Sequence, residues 1–126
     1  MSLVLDTYAI LELFQGSEKG KKVKKLLEKE EEVYLSVLSI YELGTVLERE
    51  IGRKKSQEYL RSVETYYTIL DVTYEVAKKA VEVRRNFKLP AIDCLIYASA
   101  FINESKVVSG CKHFREISHQ KNVIVI

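Results

Sequence analysis

The alternation of short apolar segments with charged, amphipathic ones predicts an α/β domain: a short, mostly parallel five-stranded sheet flanked by helices. Two observations carry this. Short segments rich in apolar residues at 3–5, 33–35, 68–72, 107–108 and 123–125 have the length of buried strands. The longer stretches between them carry apolar residues at helical spacing, and strands separated by helices pair in parallel, with both faces covered.

Taken in order, Leu3-Val4-Leu5 reads as a buried strand, and a helix over about 7–14 follows until Gly16-Ser17 breaks it. Residues 19–29 place Val23, Leu26 and Leu27 among charges, the pattern of a surface helix with a narrow apolar stripe. After the strand at 33–35, residues 39–50 show Ile40, Leu43 and Leu47 at helical spacing and stop before Gly52. A helix over 54–65 precedes the strand at 68–72. Residues 74–86 then carry Val76, Ala77, Ala80, Val81 and Arg84 along a further helix. Pro90 suits the first turn of a helix over 91–103, where its missing N–H leaves nothing unsatisfied. Strands at 107–108 and 123–125 complete the set. There is no internal repeat, linker or low-complexity tail, so residues 1–126 are expected to form one domain.

Composition limits the function classes. A chain of 126 residues, 47% apolar, can bury one core but not two. It shows no apolar run of about 20 residues and no signal-like amino terminus, so a cytoplasmic protein without membrane attachment is expected. Cys94 and Cys111 form neither a disulfide framework nor a zinc-type spacing, which fits a reducing compartment. Cys94 is expected to be buried and Cys111 to lie in a polar turn. The formal charge is only +2, but Arg84, Arg85, Lys88, Lys106, Lys112, His113, Arg115, His119 and Lys121 gather in the last third. Such a face suits phosphates, although taken alone ordinary solvated surface is the readier explanation.

Chemistry enters with the acids. The chain has three aspartates, and two of them, Asp6 and Asp93, stand where an apolar segment meets the start of a predicted helix. Glu42 lies within the apolar stretch Val37-Leu38-Ser39-Ile40-Tyr41-Glu42-Leu43. Each has a local explanation. Asp6 can cap the helix that follows it. Ser39-Ile40-Tyr41-Glu42 matches a capping box, with Leu38 and Leu43 as its hydrophobic staple. Asp93 can be a first-turn acid facing the helix dipole. None of these accounts for their shared placement, since parallel sheets put ligand sites beyond the carboxyl ends of their strands. Carboxylates converging in apolar surroundings call for a cation. An oxygen-rich set with no His/Cys ligands beside it favours Mg²⁺, with Mn²⁺ as substitute, over Zn²⁺.

Other acid-site architectures fit less well. Asp6 is followed by Thr7-Tyr8 rather than the D-x-D of haloacid-type phosphatases, and a phosphoryl-accepting receiver set does not assemble around Asp71. Phosphate-loop and dinucleotide glycine signatures are absent.

The segments Leu5-Asp6-Thr7-Tyr8, Leu38-Ser39-Ile40-Tyr41-Glu42-Leu43 and Ile92-Asp93-Cys94-Leu95-Ile96-Tyr97-Ala98 together resemble the PIN-domain family, most closely its VapC toxin branch. The resemblance implies a metal-dependent endoribonuclease, usually homodimeric, held inactive by a VapB-like antitoxin. It implies that Asp6, Glu42 and Asp93 are the catalytic and metal-binding acids, with Thr7, Ser39 or Ser109 in supporting roles. Ser109 can equally be a plain turn residue. The late segment Val107-Val108-Ser109-Gly110-Cys111-Lys112-His113-Phe114 resembles the family's strand-then-turn motif, except that Cys111 stands where an aspartate or asparagine is usual. A thiol is a poor Mg²⁺ ligand. Either three carboxylates and water suffice for one ion, or activity is weak or altered. Arg84, Arg85, Lys88, Lys112, His113 and Arg115 are the candidate RNA-binding residues. His113 is expected mainly as a surface contact and Phe114 as packing beneath its turn. Tyr8 and Tyr41 are expected near the site, each with a core alternative. Two other functions stay open: an RNA-processing nuclease outside any toxin–antitoxin pair, and a catalytically impaired RNA-binding or dimerisation module.

Overall fold

A computed structural model describes residues 2–30 and 32–126. The elements run β1 (Ser2–Leu5), α1 (Thr7–Gln15), α2 (Glu18–Glu28), β2 (Glu32–Ser36), α3 (Val37–Ile51), α4 (Arg53–Tyr66), β3 (Thr68–Leu70), α5 (Tyr74–Asn86), α6 (Ala91–Ile102), β4 (Ser105–Ser109), α7 (Lys112–Arg115) and β5 (Val123–Val125). The sheet order is β3-β2-β1-β4-β5. All four pairings are parallel, where the sequence predicts a mostly parallel sheet.

Side chains alternate across a strand, and here both faces are buried. Val4 and Val107 face a core built with Val76, Val83, Ile96, Tyr97 and Phe114, supplied by α5, α6 and α7. Leu3, Leu5 and Val108 face the opposite core of Ile10, Val23, Leu43, Leu47 and Val63, supplied by α1 to α4. The molecule is therefore three layers, helices over both sides of one sheet. After β1 the chain winds to β2 and β3 on one side, then returns to β4 and β5 on the other. The seam between β1 and β4 is the topological switch point, where parallel sheets open a crevice at their carboxyl edge.

Two glycines are fixed by close approach or backbone conformation at the α1–α2 corner. Gly16 has φ 65° and ends α1 in the left-handed conformation. A Cβ on Gly20 would stand 2.1 Å from the Glu12 carbonyl oxygen, so α2 can cross α1 there only without a side chain.

Three local expectations are corrected. α3 begins at Val37, because the Ser36 hydroxyl accepts the Leu38 N–H at 3.1 Å and caps the helix. The capping box on Ser39 and Glu42 therefore does not form; Ser39 lies inside the first turn, 1% exposed, its hydroxyl without a partner. Pro90 is the residue before α6 rather than a member of its first turn. Tyr41 is 70% exposed and belongs to no core. Among the described residues no helix is long and apolar enough to cross a membrane.

Candidate active site

Asp6 follows the last residue of β1 and is the N-cap of α1, its Oδ1 accepting the Ala9 N–H at 2.8 Å. The capping role expected as an alternative is thus real, and it leaves the second carboxylate oxygen uncommitted to that bond. The Asp6 N–H donates to the Val108 carbonyl at 3.2 Å, which pins the residue over the β1–β4 seam. Glu42 reaches the same place from α3. Its Oε1 accepts the Thr7 hydroxyl at 2.6 Å, so the residue beside Asp6 holds the acid from a distant helix. Asp93, on the first turn of α6, supplies the third carboxylate.

An open cleft of about 520 Å³ is lined by Asp6, Thr7, Tyr8, Glu42, Pro90, Ala91, Ile92, Asp93, Ile96, Cys111 and His113. Thus three acids separated by 36 and 51 residues in the chain share one wall-to-wall space. Their fields meet. Burial pushes the Asp6 carboxyl from 3.8 up to about 7; the Ser109 hydroxyl and the Ala9 amide oppose this, while the Asp93 and Glu42 charges add to it. Burial also raises the pKa of Asp93, with His113 opposing and Glu42 reinforcing the shift. A buried carboxylate beside like charges, with its neighbours already fixed by hydrogen bonds, is an arrangement that a small oxygen-seeking cation relieves. The donor set fits such an ion.

Ser109, at the end of β4, is fully buried. Its Oγ accepts the Cys111 N–H at 3.1 Å, and its hydroxyl also steadies the Asp6 carboxylate. It is therefore neither a free turn residue nor open to the cleft. Ser39 does not line the cleft. Gly110 is closely approached: a Cβ there would meet the Tyr8 ring at 2.7 Å and the Ile126 carbonyl oxygen at 3.2 Å, so a side chain would push the ring aside.

Cys111 caps the short helix α7, which sequence periodicity does not reveal because four residues are barely one turn. Phe114 is fully buried beneath it, as expected. His113 is not merely a surface group: its Nδ1 lies 3.3 Å from Asp93 Oδ2. Cys111, His113 and Asp93 each offer a ligand atom within 4.8 Å of the others, which corrects the expectation that no His/Cys ligands accompany the acids. Of the six candidate RNA-binding residues, only His113 lines the cleft. Arg84 instead donates to the Leu89 carbonyl at 2.7 Å and braces the turn before α6. Arg85, Lys88, Lys112 and Arg115 are exposed outside it. Lys19 is absent from the sequence expectations; its ammonium donates to the Tyr8 hydroxyl at 2.8 Å at the cleft rim, a contact between two helices that no local pattern signals, although Gly16-Ser17 marks the corner itself.

Residues 3–120 match the family described as the PIN domain. Known structures with the same fold include a toxin–antitoxin complex from Klebsiella pneumoniae (20% identity, 98% of this chain and 96% of that one, TM-score 0.77). VapBC-1 from nontypeable Haemophilus influenzae aligns over 99% of this chain and 98% of that one, at 14% identity and TM-score 0.82. Mycobacterium tuberculosis VapC20, a sarcin-ricin loop cleaving toxin, aligns over 83% and 86% at 17% identity and TM-score 0.65. No curated protein sequence matches the chain.

Proposed function

The chain belongs to the PIN domain family, and from that premise we propose that it is a metal-dependent endoribonuclease, the VapC-like toxin of a toxin–antitoxin pair. The observation that carries this reading is the cleft shared by Asp6, Glu42 and Asp93 at the β1–β4 switch point. Asp6 and Asp93 would hold one Mg²⁺ or Mn²⁺, and Glu42 would ligate it or orient water. When bound, such an ion supplies Lewis acidity and positive charge at a scissile phosphodiester.

The chain's own groups do the positioning. Thr7 fixes the Glu42 carboxylate, and the Ala9 amide and Ser109 hydroxyl fix Asp6. Pro90, Ile92 and Ile96 make an apolar wall that restricts water beside the acids. His113 is placed to meet a phosphate oxygen or carry a proton. The exposed cations outside the cleft would track the RNA backbone and make binding salt-sensitive. A homodimer and a VapB-like antitoxin partner follow as proposals from the likeness to the toxin–antitoxin structures.

Cys111 favours a second reading, a catalytically impaired RNA-binding or dimerisation module. A nuclease that processes RNA outside a toxin–antitoxin pair is the near alternative, separated by whether a small antitoxin gene adjoins this one. The deciding experiment incubates the protein with total RNA in Mg²⁺, Mn²⁺ or chelator, beside Asp6→Asn. Metal-dependent cleavage that falls at least about tenfold in the variant is expected for a lost ligand. Equal cleavage in wild type, variant and chelator would overturn the nuclease reading, and RNA binding without any cleavage would favour the impaired module.

A further inference from the structure

Beside the carboxylates lies a different ligand set. Asp93 comes from the first turn of α6, Cys111 from the cap of α7 and His113 from within α7. Their ligand atoms all lie within 4.8 Å of one another. This grouping is built rather than incidental. The Cys111 N–H is held by Ser109 Oγ at 3.1 Å, and Phe114, fully buried next to His113, anchors the short helix that carries both.

The geometry suits a tetrahedral ion. Bonds of about 2.0–2.3 Å to nitrogen, oxygen and sulfur set neighbouring ligands roughly 3.5 Å apart. His113 Nδ1 and Asp93 Oδ2, at 3.3 Å, already have that span. Cys111 is half-buried on the cleft wall, where rotation of its short side chain can close the remainder. The cleft leaves a fourth position open to water or a phosphate oxygen.

The donor chemistry then selects the metal. Thiolate, imidazole and carboxylate together form a borderline-soft set, favouring Zn²⁺, Co²⁺ or Ni²⁺ and disfavouring Mg²⁺. We propose that Asp93, Cys111 and His113 form a Zn²⁺ site that shares Asp93 with the hard-ion site. On binding, the Cys111 thiol releases its proton to solvent and a sulfur–zinc bond forms, while neutral His113 and ionised Asp93 donate lone pairs. One thiolate and one carboxylate balance the charge of the ion. Drawing Asp93 toward Zn²⁺ would leave only Asp6 and Glu42 to hold the hard ion. Zn²⁺ therefore opposes Mg²⁺ at the neighbouring centre, a consequence that rests on the proposed nuclease reading.

Binding is tested without RNA by titrating the reduced, metal-free protein with Co²⁺, a spectroscopic stand-in for Zn²⁺. The expected result is one equivalent of Co²⁺ with a thiolate-to-cobalt charge-transfer band that Zn²⁺ abolishes. Cys111→Ser removes the band, and His113→Gln weakens Co²⁺ binding at least about tenfold. Asp6→Asn leaves the band in place, and thermal melting verifies that each variant is folded. Absence of the band in folded wild type, or its survival in Cys111→Ser, overturns the site. If RNA cleavage is seen, Cys111→Ser should need at least about tenfold more Zn²⁺ for half-inhibition. If no cleavage is seen, the cobalt band still decides the site while the nuclease reading fails on its own.

Discussion

Asp6 does two jobs that pull in opposite directions. As an N-cap it satisfies the Ala9 amide, and as a buried acid beside Glu42 and Asp93 it carries a charge the fold disfavours. Asparagine caps helices as well as aspartate, so Asp6→Asn keeps the first job and removes the cost of the second. We predict that the metal-free variant melts higher than wild type at pH 8 while losing metal binding; a lower melting temperature would mean that the charge is not destabilising. Thr7→Val removes the hydroxyl that holds Glu42 and should weaken Mn²⁺ affinity about tenfold or more, the usual cost of losing a supporting hydrogen bond. Unchanged affinity, read by calorimetry, would mean that Glu42 is positioned without it. The three acids were legible because each ends or interrupts an apolar run. The hydrogen bond from Thr7 to Glu42 was not, since it joins residues on different helices and leaves no periodic trace. Cys111 was legible as an oddity, but its pairing with His113 and Asp93 depends on α6 meeting α7.

The elements show where local pattern misleads. The sequence pattern points to Ser39 as the cap, but β2 extends to Ser36 and the helix starts directly after it, so Ser36 serves instead. Ser36→Ala should cost about 1 kcal/mol in urea unfolding, whereas Ser39→Ala should cost little or stabilise, because its buried hydroxyl has no partner to lose. The reverse ranking would restore the capping box. Gly20→Ala forces a methyl against the Glu12 backbone and should cost about 1–3 kcal/mol or more; a neutral result would show that α1 and α2 separate easily. Five strands and six helices were readable from apolar spacing, with no end shifted by more than two residues. α7 escaped because one turn has no period to read.

For the molecule as a whole, the sheet order explains why residues so far apart in sequence act as one site. The chain reverses its winding direction between β1 and β4, and the acids collect at that seam. This placement has a pH signature. The Asp6 pKa is raised on folding, so between about pH 4 and 7 the native state holds more protons than the unfolded chain. Metal-free stability is therefore greatest at the acid end of this window and falls as pH rises through it, by on the order of 4 kcal/mol for that one group. The raised pKa of Asp93 acts in the same direction. Stabilisation by Mn²⁺ should grow over the same range, since the ion must displace the proton, and level off above it. Melting curves with and without Mn²⁺ across this range check the trend, and a flat metal-free profile would contradict the burial of Asp6.

The central claim is that Asp6, Glu42 and Asp93 share one hard cation. Calorimetric titration of Mn²⁺ at pH 8 into wild type, Asp6→Asn, Glu42→Gln and Asp93→Asn measures it directly. The account predicts a binding event in wild type that weakens at least about tenfold in each variant. Equal Mn²⁺ affinity in all four proteins, or none in folded wild type, would contradict it.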